Sequence, residues 1–168
     1  MTTILTDGNP ILRKKAEEIT AFNKELEGIV DDLEDAFYHC IGWGLAAPQI
    51  GISKRIVIVR LTTEKKYRET YFLVNPQIKK TSLIYDVFPE ACLSLPGKIR
   101  LIPRSRKIEV HYQGRDGEHC SIAAKGPNAR IIKHEIDHLD GILITDYRFM
   151  IKWHRNMPSE KAENPIYA

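Results

Sequence analysis

The segment HEIDH at residues 134–138 decides how the rest of the chain has to fold. Two histidines four positions apart lie on one face of a helix, one turn above the other. Their ring nitrogens can then bind the same metal ion, while Glu135 lies close enough to move a proton of a water beside that ion. Because two histidines do not complete a metal site, a third ligand has to come from elsewhere in the chain.

The residues around this segment have the pattern of a helix. Gly126 and Pro127 precede it and Gly141 follows it, as expected for the two ends of a helix. An apolar stripe at helical spacing consists of Ile132, Ile136 and Leu139. The sequence therefore places both histidines on a helix that has one buried face.

A second amphipathic helix is predicted near the N-terminus, capped by Asn23 and ending near Gly42 or Gly44. Its apolar stripe consists of Leu26, Ile29, Val30, Leu33, Phe37 and Cys40. Between the two helices, apolar or alternating segments predict strands at 55–60, 70–75, 83–88, 107–112 and 119–123.

This order of elements indicates an α+β fold, with antiparallel sheets packed around a central HExxH-bearing helix and an N-terminal amphipathic helix. We expect one catalytic domain over residues 1–151. Residues 152–168 contain two prolines, mixed charges and no apolar stripe, and we expect them to form a loosely attached tail.

The composition is that of an ordinary globular protein, with 168 residues, 43% apolar residues and a net charge of +3. The lack of a dense Lys/Arg tract argues against nucleic-acid binding, and no apolar run is long enough for a membrane span. An odd, sparse set of cysteines and the absence of a signal-peptide pattern predict a cytoplasmic protein.

The third ligand is the open question of the metal motif. The extended pattern HExxHxxGxxH is excluded, since Ile144 stands where its last histidine would be. Glu160 and Glu163 lie about twenty residues downstream, but in the weakly patterned tail, which is a poor platform for a ligand. Of the cysteines, Cys40 and Cys120 suit a helix stripe and a strand, whereas Cys92 stands in a loop-like setting.

Three motifs resemble those of the peptide deformylase family. Residues 90–94 (EACLS) are similar to its EGCLS motif, residues 42–49 (GWGLAAPQ) to its GxGLAAPQ motif, and residues 134–138 to its HExDH motif. They occur in the family order, and weaker similarity extends from residue 10 to about residue 147. The resemblance thus covers most of the chain.

The resemblance implies that Cys92, His134 and His138 bind the metal, with water as the fourth ligand. In the family this ion is usually Fe²⁺, and Zn²⁺ also binds; one thiolate and two imidazoles suit either. The implied substrate is an N-formylmethionyl peptide, which is hydrolysed to formate and a free N-terminus.

The resemblance also assigns roles around the metal. Glu135 activates the metal-bound water and then returns the proton to the leaving amine, while Gln49 and the Leu93 backbone N–H stabilise the oxyanion. Gly44 lets the peptide backbone pass close to the site. The remaining implied roles are a brace of the cysteine loop by Glu90 and Arg104, and a methionine pocket lined by Trp43, Phe88 and Ile131.

Three residues depart from the family pattern: Ala91, Trp43 and Lys133 stand where the family has a glycine, an aliphatic residue and a glutamine. These departures keep open a deformylase-like protein of low activity, or one with a shifted acyl or side-chain preference. An HExxH endopeptidase that uses Glu160 or Glu163 is a further alternative. We expect a monomer with at most a weak ribosome contact, since the tail does not have the pattern of a basic docking helix.

Overall fold

The computed structural model describes residues 3–147 and 166–167. Their two α-helices are α1 (Lys24–His39) and α2 (Pro127–Leu139). Their strands are β1 (Gly44–Ala46), β2 (Ile56–Thr62), β3 (Arg68–Thr81), β4 (Tyr85–Ala91), β5 (Ile99–Ser105), β6 (Lys107–Gln113), β7 (His119–Lys125) and β8 (Ile166–Tyr167). Short 3₁₀ helices cover Pro10–Arg13, Ala47–Ile50 and Ile144–Asp146.

The strands form two sheets. One has five strands in the order β1-β2-β3-β6-β7, all antiparallel, and the other has the order β5-β4-β8, in which β4 and β5 are antiparallel and β8 is parallel to β4. Helix α2 packs against β1, β2 and β7 of the first sheet and against β5 of the second. The predicted α+β fold around the HExxH helix is therefore confirmed.

Residues 56–59 of strand β2 are all apolar and buried. Val57 and Val59 belong to the same buried cluster as the apolar stripe of α2, whereas Ile56 and Ile58 belong to the cluster that holds α1. Successive side chains of a strand point to opposite faces, so the part of a strand that is covered on both faces is apolar at successive positions.

Helix α1 begins as predicted but ends earlier. The Asn23 side chain accepts hydrogen bonds from the backbone N–H groups of Glu25 (3.0 Å) and Leu26 (3.3 Å), which is an N-cap. The helix ends at His39 rather than near Gly42 or Gly44, because Cys40 is already extended and donates its N–H to the Phe37 carbonyl. Residues 40–43 therefore form a non-helical connection that leads into β1.

The predicted strand at 83–88 is displaced toward the cysteine motif. Strand β4 pairs with β5 in continuous register from Tyr85 opposite Ser105 to Ala91 opposite Ile99. Leu83 and Ile84 precede the strand and are exposed. Since β4 ends at Ala91, the next residue, Cys92, is held by the end of a paired strand rather than by a free loop.

Most of the predicted tail at 152–168 lies outside the described residues, and the boundary at residue 151 stays a prediction. Only Ile166–Tyr167 are described, paired in parallel with Glu90 and Ala91. Neither α1 nor α2 is long and apolar enough to cross a membrane.

The end of α2 gives a test of the packing. Gly141 has φ +72°, and a Cβ there would lie 2.6 Å from the Arg13 carbonyl oxygen. We expect Gly141→Ala to lower the free energy of unfolding by about 2 kcal/mol or more, since left-handed backbone and a clash with main chain both oppose a side chain. Urea unfolding followed by circular dichroism measures this.

The matched control is Gly28→Ala in the middle of α1, where a Cβ would meet nothing within 4 Å. That change should stabilise the protein by about 0.5–1 kcal/mol, the ordinary gain of alanine over glycine in a helix. Equal stability of the Gly141→Ala variant and the unmodified protein would contradict the described packing.

Candidate metal centre and active site

Three metal-binding side chains meet in the interior of the molecule. Cys92, His134 and His138 are all buried, and one ligand atom from each lies within 4.8 Å of the other two. The Cys92 Sγ is 3.1 Å from His138 Nε2, and the two imidazole centroids are 5.1 Å apart. Within the described residues, no other group of histidine, cysteine and carboxylate side chains has this arrangement.

The fold brings these atoms together from distant parts of the chain. Helix α2 carries the two histidines one turn apart, and the end of β4 presents Cys92 to them. A turn follows at once, since the Leu95 N–H donates to the Cys92 carbonyl at 2.9 Å. The position of Cys92 is therefore fixed by a paired strand before it and by a hydrogen-bonded turn after it.

The orientation of His134 suits a metal ligand. Its Nδ1 lies 2.9 Å from Glu90 Oε2, so this nitrogen carries the proton that the carboxylate accepts. Its Nε2 is buried and has no hydrogen-bond partner among the described residues. A buried polar atom without a partner costs free energy, and a metal ion beside the thiol would satisfy it.

The protonation states also fit a divalent ion. Burial, followed by the proximity of His134, holds the pKa of His138 well below its ordinary value, so its imidazole is neutral as a ligand has to be. Burial raises the pKa of the Cys92 thiol to about 12, and a thiolate at this position therefore needs a cation beside it. One sulfur and two nitrogens form a donor set suited to zinc or ferrous iron.

Glu90 is the centre of a buried ionic network. Arg104 donates to both of its oxygens, from Nε at 2.9 Å and Nη2 at 2.8 Å, and Arg130 donates at 2.6 Å. Burial alone would raise the pKa of Glu90, but the hydrogen bonds from Arg104 and His134 keep it well below its ordinary range. The Glu90 carboxylate, which contacts the candidate ligand His134, thus stays charged.

The sequence did not reveal the full extent of this network. Arg130 lies four residues before His134 on the same helix face, and that spacing was the available signal. Asp137 also belongs to this network, since it accepts hydrogen bonds from Arg104 (2.5 Å) and from the Tyr147 hydroxyl (2.7 Å). The reason is that α2 turns Asp137 toward β5 rather than toward solvent.

Glu135 is fully buried between the two histidines. Neither of its carboxylate oxygens has a hydrogen-bond partner among the described residues, and burial raises its pKa well above the ordinary value. It packs tightly on Gly44, where a Cβ would lie 2.7 Å from Glu135 Cδ. A carboxylate with a raised pKa takes up a proton readily, and Gly44 beside it has no side chain that would cover it. Both properties suit a general base.

Gln49 and Leu93 adjoin the Cys92 thiol. The Ala46 N–H donates to Gln49 Oε1 at 2.8 Å, which fixes the amide, and Gln49 Nε2 then points to Cys92 Sγ (3.8 Å) and Ser94 Oγ (3.2 Å). The Leu93 N–H donates no hydrogen bond to any described residue. Two donors thus adjoin the candidate metal ligands, and Ser94 is a further neighbour that sequence reasoning had not named.

The predicted pocket residues lie in different surroundings. Trp43 is half-buried and lines a cavity of about 300 Å³, whereas Phe88 is 53% exposed and lines another of about 200 Å³. The Arg130 guanidinium lies 5.4 Å from the centroid of the Phe88 ring. Ile131 is buried in the cluster between α2 and the five-stranded sheet. A shared methionine pocket for the three stays a prediction.

Two of the unusual residues have clear settings. Ala91 is the last residue of β4, and only Lys66 and Asn75 among the described non-glycine residues have positive φ, so Ala91 has no left-handed strain. Lys133 is half-buried, with Nζ 3.3 Å from Ser105 Oγ. Burial and the nearby Arg104 lower the pKa of Lys133.

Comparison with known proteins gives a consistent result. A family model described as polypeptide deformylase matches residues 1–154. The peptide deformylase of Desulfotalea psychrophila is 37% identical over 163 residues, covering 95% of this chain and 94% of that protein.

Solved structures agree with these sequence comparisons. A probable peptide deformylase from Synechococcus phage S-SSM7 is 39% identical, with a TM-score of 0.80 over 88% of this chain and 99% of that one. A class I type b peptide deformylase from Acinetobacter baumannii, bound to Met-Ala-Ser, is 30% identical, with a TM-score of 0.79 over 87% of this chain and 99% of that one. This chain belongs to the polypeptide deformylase family.

Proposed function

We propose that this protein is a metal-dependent hydrolase that removes the formyl group from N-terminal formylmethionine of nascent peptides and releases formate. One observation carries the proposal: a buried thiol and two buried imidazoles converge beside Glu135, whose carboxylate has no partner among the described residues. Membership of the deformylase family supplies the substrate class.

Cys92, His134 and His138 would hold the ion, for which we propose Fe²⁺, with Zn²⁺ as a substitute. When bound, such an ion acts as a Lewis acid and lowers the pKa of the attacking water. The hydrogen bond from His134 Nδ1 to Glu90 leaves Nε2 of that ring as the nitrogen that would bind the ion.

The side chains around the ion provide the acid–base chemistry. Glu135 accepts the proton of the attacking water, and the oxygen of that water then bonds to the formyl carbon. The Gln49 amide and the Leu93 N–H donate to the oxygen that becomes negatively charged, and the loss of one such donor typically costs about 100-fold or more in rate. Glu135 then donates its proton to the leaving amine, and the bond between the formyl carbon and that nitrogen breaks.

The peptide would lie along β1, the edge strand of the larger sheet. Gly44 gives its backbone close access to Glu135, and a related deformylase structure contains Met-Ala-Ser. Trp43, Phe88 and Ile131 remain the proposed contacts of the methionine side chain. We also propose that the protein works in the cytoplasm as a monomer with at most weak ribosome contact.

Replacement of Glu135 by glutamine tests its role as the proton carrier. We expect Glu135→Gln to lower the rate of formate release from formyl-Met-Ala-Ser at least about 100-fold, because glutamine cannot accept the proton. Metal content, measured by mass spectrometry of the anaerobically prepared protein, should not change. Glu27→Gln on the exposed face of α1 is the control, and an unimpaired Glu135→Gln enzyme would contradict the mechanism.

Replacement of Cys92 by serine separates this site from that of an HExxH endopeptidase with a downstream carboxylate. We expect Cys92→Ser to lose most of its bound metal after dialysis, because a neutral hydroxyl replaces the thiolate. Cys120→Ser, on β7, should keep it. Stoichiometric metal in Cys92→Ser, together with its loss in Glu160→Ala or Glu163→Ala, would instead favour the endopeptidase.

A further inference from the structure

A second cavity adjoins the reaction centre and is lined by two arginines. It measures about 300 Å³ and is formed by Cys40, Ile41, Gly42, Trp43, Arg60 and Arg68. This cavity is close to the active site. Gly42 packs against Leu93, since a Cβ at Gly42 would lie 3.3 Å from Leu93 Cδ1, and Gly44 packs against Glu135. A peptide that runs outward from the site along β1 therefore passes the mouth of this cavity.

Both guanidinium groups lie over aromatic rings. Arg68 is 4.2 Å from the centroid of the Trp43 ring, and Arg60 is 4.8 Å from that of Phe37 and 5.7 Å from that of Tyr38. An arginine that stacks through its planar face keeps its N–H groups free at the edge. Those N–H groups are suited to bidentate hydrogen bonds with a carboxylate.

The two arginines also differ from most others in their ionic partners. Arg13, Arg55, Arg104 and Arg130 all have a carboxylate oxygen within 4.0 Å, but Arg60 and Arg68 have none among the described residues. The backbone of Trp43 is fixed beside them, since the backbone N–H of Arg60 donates to the Trp43 carbonyl at 2.7 Å. Two arginine side chains that have no carboxylate partner among the described residues thus lie beside the proposed path of the substrate.

We infer that this cavity is a specificity site for an acidic side chain in the substrate segment that follows the methionine, with Arg60 and Arg68 as the residues that bind its carboxylate. This inference rests on the proposed deformylase activity, whose substrate it narrows to formylmethionyl peptides with aspartate or glutamate near the N-terminus. It also gives Trp43 a role as the stacking support of Arg68, in addition to its proposed contact with methionine.

The test compares pairs of C-terminally amidated peptides. In formyl-Met-X-Ser-amide and formyl-Met-Ala-X-amide, X is Glu or Gln, so that charge is the main difference and the terminal carboxylate is absent. At low salt we expect kcat/KM to be about fivefold higher for Glu than for Gln in at least one series, as two partly exposed ion pairs allow. The ratio should fall toward one at high salt.

The variants Arg60→Gln and Arg68→Gln should each lower the Glu/Gln ratio, and the double variant should abolish it. Arg115→Gln is the matched control, since Arg115 also lies over an aromatic ring, Phe72, but outside this cavity. The ratio should be unchanged in that variant. Peptides with a free C-terminus, measured in parallel, distinguish a side-chain carboxylate from a terminal one.

The result separates this inference from the proposed function. If formyl-Met-Ala-Ser-amide is deformylated but the Glu/Gln ratio is one in both series, the acidic-residue site is wrong and the deformylase assignment stands. A preference for Glu that survives in the double variant would also overturn the inference. Failure of the protein to release formate from any of these peptides would overturn both.

Discussion

The buried carboxylate of Glu90 is the constraint on which the rest of the site depends. It lies in β4, is 1% exposed, and binds Arg104 of β5 together with Arg130 and His134 of α2. These contacts connect the smaller sheet to the helix that carries the histidines. Removal of one partner from such a network leaves a charge buried and unpaired, which typically costs about 3–5 kcal/mol. Formation of this network thus fixes how the two sheets enclose α2.

The chemistry of the site follows from this geometry. The hydrogen bond to Glu90 determines which nitrogen of His134 faces Cys92. Cys92 follows Glu90 by two residues, directly after the end of β4, so the same strand brings the thiol to this point. Glu135 lies between two ligands but outside the ionic network, so burial raises its pKa, whereas hydrogen bonds from Arg104 and His134 lower the pKa of Glu90. Two buried glutamates on neighbouring elements thus have opposite protonation preferences, which is a frequent feature of acid–base catalysis.

The sequence predicted the helices well because each has an apolar stripe of its own. It predicted the position of β4 poorly, since the ends of that strand are set by pairing with β5 rather than by its own residues. Local spacing revealed both histidines, but Cys92 is brought to them only by the tertiary fold, so its selection depended on resemblance to a family. Arg130 was missed because an arginine in an amphipathic helix is usually expected on the exposed face.

The metal affinity of Glu90→Gln, a nearly isosteric change that removes the charge, tests most directly whether Glu90 organises the site. The variant should bind Zn²⁺ about 10–100-fold more weakly than the unmodified protein in a competition titration, as expected when the partner of a ligating histidine is lost. Glu109→Gln, which disrupts a surface pair with Lys80, should bind Zn²⁺ normally. A folded Glu90→Gln protein with undiminished affinity would contradict the claim that Glu90 organises the site.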